Sequence, residues 1–469
     1  MQQTNVNLTL SELGEKKSIL YCSIISFLLF FLSCGRALFS AYTPDDYLVN
    51  VEKLPLAFFL QQGRFVQGTI SVIFNRLNLS LTSSGFAFEI LFFASVSLSV
   101  SCFLYYLSNK NHSIFSLLFA SALIVTHPIF STLADYHQTV ANYTVAFLCL
   151  SSFFYFSKTF FESKQYKYLI FASIALTLTC GAYQPCLSVA TIWCLFYAFV
   201  QNINYNIRKI YIFFSPIICG ILLYIIVYAI TKNAAGLNNW DSRVGMIPIS
   251  QINHRLHDIM FFIPSILWKD WWIIPASFTS LLSLIVIITI TNGLILSFKK
   301  YLLISVLFVI SLIIVIAPIS IVRTWDPTHR SLLGYSFCYG LVLIFIYRQG
   351  ISQKIIYALS IIAITYAIII SNSFLTQVEH SNNQDQWVSS HIAVDILKHT
   401  TGQKIIIVNK NTINSVDWSY KGLFYTYTGK IFDIKAAEQQ DINFCKNSPK
   451  WPKDGYLHIT NDQLTLCLD

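Results

Sequence analysis

SILYCSIISFLLFFLSCGRALFSAYTPDDY, residues 18–47, holds the two features that decide how this chain is read. Its first part, about 18–41, is an apolar run broken only by Arg36, and about 20 such residues cross a bilayer core as a helix. The run ends on Tyr42-Thr43-Pro44-Asp45-Asp46-Tyr47. Carboxylates at the mouth of a membrane span cost desolvation energy, so they mark a working site more often than a solvated surface. Two adjacent aspartates let one act as a base while the other tunes or positions it. The plain alternative is a charged span end. Because Asp45 directly follows Pro44, it is the better candidate for capping the next helix, which leaves Asp46 as the preferred base.

The rest of the chain repeats the apolar theme. Of 469 residues, 55% are hydrophobic and 11% charged, against a usual charged share of roughly 25%. Mean hydropathy is +0.58. No soluble globular domain needs that, and the chain reads as an all-α polytopic membrane protein. Uncharged or nearly uncharged runs at about 18–41, 85–107, 113–133, 139–157, 168–183, 185–202, 210–231, 271–298, 301–322, 331–347 and 355–375 predict about eleven helices. Tyr183-Gln184-Pro185 makes the tight turn between two of them, since proline starts a helix more readily than it continues one.

Lysine and arginine set the orientation. Lys16, Lys17, Lys110, Lys158, Lys164, Lys167, Arg208, Lys209, Lys299, Lys300, Arg348 and Lys354 fall in segments of one side, which predicts a cytoplasmic N terminus. An odd span count then places everything after residue 375 outside. The first apolar run is too long for a cleavable signal, lacks a small-residue cleavage site, and reads as a signal anchor.

Residues 1–375 thus form the membrane domain and 376–469 a small extracytoplasmic α/β domain. There Lys404-Ile405-Ile406-Ile407-Val408 reads as a buried strand after a short helix near 387–399. Residues 423–425, 430–432 and 456–459 read as further short strands. Nine of the 11 cysteines lie in apolar runs and read as packing residues. Cys445 and Cys467 stand in the tail, an oxidising compartment under this topology, which predicts a disulfide between them.

Both signs of charge gather on the outer side. Asp45, Asp46, Glu52, Glu89, Asp135, Asp241, Asp258, Asp270 and Asp326 face Arg36, Lys53, Arg64, Arg76, Lys232, Arg243, Arg255, Lys269, Arg323 and Arg330. Such clustering suits a site that handles an anionic group while moving a proton. Arg64, after Gly63, is either a bidentate phosphate clamp or a snorkelling interfacial residue. Glu89 and Arg36 lie near the outer edge of apolar runs and are either functional or paired with each other. His127 and Asp135-Tyr136-His137-Gln138 flank the third run, where they bind sugar hydroxyls or simply pack. Arg323-Thr324-Trp325-Asp326-Pro327-Thr328-His329-Arg330 is the most polar short loop, and its arginines and His329 suit a phosphate. Trp240, Trp268, Trp271 and Trp272 read as interfacial anchors. No nucleotide-binding loop, zinc-ligand set or serine-nucleophile elbow occurs, and nothing supports nucleic-acid binding.

The many spans, the early acidic pair, Gln62-Gly63-Arg64-Phe65, Tyr183-Gln184-Pro185 and the cysteine-bearing tail resemble the O-antigen-modifying type II glucosyl transferases of serotype conversion. The layout is similar over most of the chain and closest over residues 42–70. More broadly it resembles the GT-C class. The resemblance implies a lipopolysaccharide-modifying hexosyltransferase of the bacterial inner membrane, using an undecaprenyl-phosphate-linked sugar, with glucose the expected one, and a lipid-linked O-antigen acceptor. It also implies a companion flippase and a donor-synthesising glycosyltransferase. Asp45 and Asp46 would be catalytic. Arg64, Arg323, Arg330 and His329 would hold the donor phosphate, and Glu52, Lys53, Glu89, Asp135, His137 and Gln184 would bind substrate. No cofactor is required, although two carboxylates could hold a divalent metal. Two rival classes remain: a lipid or oligosaccharide transporter (flippase), and an O-antigen polymerase or ligase. The inner halves of the spans lack charge and no internal repeat is visible, which disfavours transport. A polymerase relies on arginine-rich central loops more than on an early acidic pair.

Overall fold

The computed structural model describes residues 14–39, 42–82, 84–108, 113–200, 207–237, 246–345, 351–399, 404–460 and 463–468. Trp240, Asp241 and Arg243 lie outside them. Every apolar run read from the sequence falls on a helix. These are α1 (Glu15–Cys34), α5 (Gly85–Leu107), α6 (Ile114–Val125) with the short α7 (Ser131–Ala134), α8 (His137–Ser163), α9 (Tyr166–Ala182), α10 (Cys186–Val200), α11 (Ile207–Ala234), α13 (Ala276–Leu296), α14 (Phe298–Ile321), α15 (Gly334–Ile344) and α16 (Ile351–His399). Between them lie α2 (Pro44–Val51), α3 (Leu56–Gln61), α4 (Phe65–Arg76) and α12 (Ile252–Leu267).

Among the described residues, seven helices are long and apolar enough to cross a membrane, or eight if the bent α6–α7 pair is one span. Helices α9 and α10 are apolar but shorter, and α15 has 11 residues. The expected eleven therefore resolve into full-length spans and shorter helices enclosed by them. All of α15 is buried, which is why hydropathy alone could not tell it from a span. The core runs through α1, α5, α6, α8, α9, α10 and α15 and is rich in phenylalanine, with Phe30, Phe92, Phe93 and Phe130 fully buried. Their rings meet edge to face or tilted at 4.6–5.6 Å, the geometry that aromatic quadrupoles favour.

The last apolar run does not stop near residue 375. Helix α16 continues without a break to His399, so the short helix expected near 387–399 is its second half. Glu379 and Asp385 break the hydropathy, but Val388, Ile392 and Ile396 keep a four-residue spacing and bury one face. That face packs on a four-stranded sheet ordered β2 (Ile434–Lys435), β1 (Lys404–Val408), β4 (Gln463–Cys467), β3 (Leu457–Ile459). Strand β1 pairs in parallel with β2 and β4, whereas β3 runs antiparallel to β4. Strand β1 falls where it was expected and β3 within the 456–459 segment. Residues 423–425 instead lie in a helix, α17 (Tyr420–Thr428), with Leu423 and Phe424 buried on its face. Residues 430–432 precede the short β2 rather than forming a strand. A further helix, α18 (Gln439–Asn447), carries Cys445, which is bonded to Cys467 of β4.

The first loop is part of this second core. Tyr47 of α2 is 1% exposed and packs with Ile392, Leu423 and Leu464. Its hydroxyl meets that of Tyr427 at 2.8 Å and accepts from Asn382 Nδ2 at 3.1 Å. Asn50 Nδ2 donates to Thr426 Oγ1 at 3.0 Å. The close approach of α17 to α2 requires Gly422, where a Cβ would overlap the Tyr47 carbonyl. Gly422→Ala is expected to cost about 1–3 kcal/mol of this docking, read as faster limited proteolysis between residues 400 and 430. Replacing both Cys445 and Cys467 with serine frees a loop of 22 residues. By the chain-entropy account this removes about 3 kcal/mol, and earlier thermal unfolding of the sheet unit is the expected readout.

Candidate active site

Thr43 and Asp46 form a reciprocal cap at the start of α2. Asp46 Oδ2 accepts from the Thr43 backbone N–H at 2.8 Å and from its hydroxyl at 2.7 Å. Asp46 Oδ1 accepts from the backbone N–H of Gln138 at 2.7 Å, in the first turn of α8. The carboxyl group is fully buried. Burial pushes it up to about 7, against three donated hydrogen bonds that favour the ionised form. Asp46 thus joins two helix N-termini and is absent from the lining of the site's two cavities. Asp45, half-buried, opens instead into a cavity of about 390 Å³. The capping expectation is corrected: Asp46, not Asp45, completes the cap of α2, and Asp45 is the member of the pair that lines the cavity.

Two arginines share that cavity with Asp45. Arg64 follows Gly63, whose φ of +74° and close approach to the Tyr224 hydroxyl exclude a side chain. The Tyr224 hydroxyl donates to Gly63 O at 3.1 Å. Gln184 Nε2 donates to Gln62 O at 2.7 Å, and its Oε1 accepts from Arg64 Nε at 3.4 Å. Gln184 itself does not line the cavity; the Tyr183-Gln184-Pro185 turn positions Arg64.

Arg330 arrives on the loop after α14, which is clamped from several sides. The Arg255 guanidinium, 7% exposed, donates to the carbonyls of Ile319, Ser320, Val322 and Arg323 at 2.8–3.2 Å. Trp271 Nε1 donates to Pro327 O at 3.3 Å, His329 Nε2 donates to Trp271 O at 2.9 Å, and the Tyr183 hydroxyl donates to Arg330 O. The Arg330 guanidinium lies 4.2 Å above the Tyr136 ring. Among the described residues, neither Arg64 nor Arg330 has an ion-pair partner. Tyr136, Tyr143 and Tyr183 form one wall of the cavity, and Leu48, Phe58, Phe59 and Ile319 an apolar one. Tyr143 escaped the sequence reading, yet it lies seven residues after Tyr136, two helical turns on the same face.

A second cavity, of about 360 Å³, adjoins the first across Tyr136, Thr328 and Arg330, which line both. Asp135, Trp272 and His329 line it, together with Asp385, Asn414 and Ser415 of the sheet unit. His329 therefore stands on the far side of the dividing wall from Arg64. Burial pushes Asp135 up to about 8, with the charge of Asp46 adding to it, and lowers His329 to about 4.

Other candidates sit elsewhere. Glu52, Lys53 and Arg323 are exposed and line neither cavity. Glu89 and His137 are buried behind the site, with His137 Nδ1 4.0 Å from Glu89 Oε1. Arg36 pairs with Glu379 of α16 at 2.7 Å rather than with Glu89. His127 Nδ1 accepts from Ile129 N–H at 3.3 Å, a local cap. Trp271 is nearly buried and holds the loop, so it is not an interfacial anchor. Among the described residues, no three His, Cys, Asp or Glu side chains gather as a metal-holding group.

Two carboxylates line this cavity, the half-buried Asp45 and the exposed Asp326. A carboxylate beside the two guanidinium groups, with an apolar wall, can take a proton from a hydroxyl while an anion is held nearby. No curated protein matches the chain. The sequence model of a family described as glucosyl transferase GtrII matches residues 37–347, a span that contains every residue lining the first cavity. With that match over more than half its length, the chain belongs to the glucosyl transferase GtrII family.

Proposed function

We propose that this glucosyltransferase moves glucose from undecaprenyl phosphate to a lipid-linked O-antigen repeat at the periplasmic face of the bacterial inner membrane. The observation that carries the reading is the joint placement of Asp45, Arg64 and Arg330 in one partly apolar cavity. A sugar leaving from a lipid phosphate needs positive charge rather than a nucleotide-binding domain. Arg64 and Arg330, which among the described residues have no carboxylate ion-pair partner, are available for the charge that develops on the phosphate. The apolar wall suits the first part of a polyprenyl chain. The lysine and arginine bias of the loops supports a periplasmic site, and the donor then requires a companion synthase and a flippase.

In the proposed step, Asp45 takes the proton of the acceptor hydroxyl as its oxygen attacks the anomeric carbon. The bond from that carbon to the phosphate oxygen breaks, and the lipid phosphate leaves as an anion against the two arginines. Single displacement inverts the anomeric configuration.

The two aspartates should separate cleanly. Asp45→Asn is expected to lower transfer by about 100-fold or more, because the amide cannot take the proton, with the thermal midpoint unchanged. Asp46→Asn puts an amide N–H₂ where an oxygen accepts, and is expected to cost about 1–3 kcal/mol of stability, seen as a lower thermal midpoint in detergent. Arg330→Lys keeps the charge but loses the planar fork and its stacking on Tyr136, so a partial loss of about tenfold in transfer is expected. The functional readout is the mass of cell-surface polysaccharide with and without the protein. A gain of one hexose per repeat is expected, and full activity in Asp45→Asn would overturn the mechanism.

A further inference from the structure

We infer that the second cavity is the acceptor-side saccharide subsite, where a neutral, hydroxyl-rich sugar packs against Trp272 and hydrogen-bonds to Asp135 and His329. Resting on the transferase reading above, this names the substrate class of the pocket beside the donor cavity. At about 360 Å³ it falls within the roughly 300–1,000 Å³ of ordinary ligand sites.

Two buried polar atoms in its lining lack a partner within the protein: Asp135 Oδ1 and His329 Nδ1. Asp135 is 7% and His329 1% exposed. His329 Nε2 faces the Trp271 carbonyl at 2.9 Å, and a carbonyl only accepts, so that nitrogen carries the proton and Nδ1 offers a lone pair. A buried polar atom left unpaired costs energy that a ligand hydroxyl would recover. A hydroxyl both donates and accepts, so it satisfies Nδ1 and also a carboxyl group in either protonation state.

Trp272 is the third observation. Its backbone lies at φ +48°, a region that bulky side chains rarely adopt and that is retained mainly at functional sites. The residue is nevertheless 71% exposed, and its ring stacks at 4.9 Å and 12° on His329. An aromatic face held open beside hydrogen-bonding groups fits the apolar face of a pyranose. Charge argues against a second phosphate, because among the described residues Arg330 in the shared wall is the only lysine or arginine in the lining, while Asp135 and Asp385 are acidic. The shared wall of Tyr136, Thr328 and Arg330 sets a bound sugar next to the cavity of Asp45. Part of the lining, from Phe374 to Ser415, lies beyond the family match, so acceptor choice would reside there.

The test uses the purified full-length protein in detergent and saturation-transfer-difference NMR, with glucose, galactose, N-acetylglucosamine and maltotriose as probes. At least one saccharide should bind the unaltered protein. Trp272→Ala, which removes an exposed ring, and Asp135→Ala should each weaken that binding by about tenfold or more. Arg64→Lys should leave it unchanged while lowering transfer. Should no saccharide bind, or should both Trp272→Ala and Asp135→Ala bind as well as the parent, the subsite is overturned. If Asp135→Ala fails to fold by circular dichroism, Trp272→Ala alone decides. Saccharide binding that depends on these residues, in a protein that transfers no hexose, would uphold the subsite and sink the transferase reading.

Discussion

The site depends on a single buried carboxylate. Asp46 ties the Thr43 cap of α2 to the first turn of α8. A buried charge is costly unless several donors meet it, and here three do, at the positive ends of two helices. Successive helical residues point about 100° apart, so holding Asp46 inward turns Asp45 toward the cavity. The same contact sets where α8 begins, and with it the ring of Tyr136 beneath Arg330. One hydrogen-bonded group therefore aligns a base, an aromatic wall and a cation.

Around that anchor, Arg64 is held by an amide side chain and Arg330 lies over an aromatic ring, neither of them against an opposing carboxylate among the described residues. Arg255 spends its guanidinium on four carbonyls at the end of α14 and shapes the loop that delivers Arg330. Gln184, not an acid, steadies Arg64. Cations positioned this way keep their charge available for a ligand anion, whereas an ion-paired arginine would first have to lose its partner. The sheet unit completes the enclosure. Tyr47 enters its core, and Asp385 orders the 414–415 segment by accepting from the backbone N–H groups of Asn414 and Ser415 at 2.6 and 3.0 Å.

Much of this was legible in the sequence. Apolar runs mark the helices because hydropathy is a local property, and each run does coincide with one. The acidic pair, the Gly63-Arg64 step and the 323–330 loop stand out because charge is rare in such a chain. The charged residues Asp45, Arg64, Asp326 and Arg330 meet in one cavity, although Arg323, Glu52 and Lys53 do not. Hydropathy falls near residue 375 while the helical spacing of Val388, Ile392 and Ile396 continues, so the apolar run marks only the first half of α16.

What the sequence determined by itself was the membrane-protein class, the helical runs and a short set of unusual polar residues. Tertiary structure alone decided which aspartate opens to the cavity, because the deciding partner, Gln138, is 92 residues from Asp46. It also decided that Gln184 supports rather than lines the site, and that Trp271 is packed against the 323–330 loop. Local sequence encodes propensity and polarity. The direction in which a side chain points depends on contacts between segments far apart in the chain, and those exist only once the helices have packed.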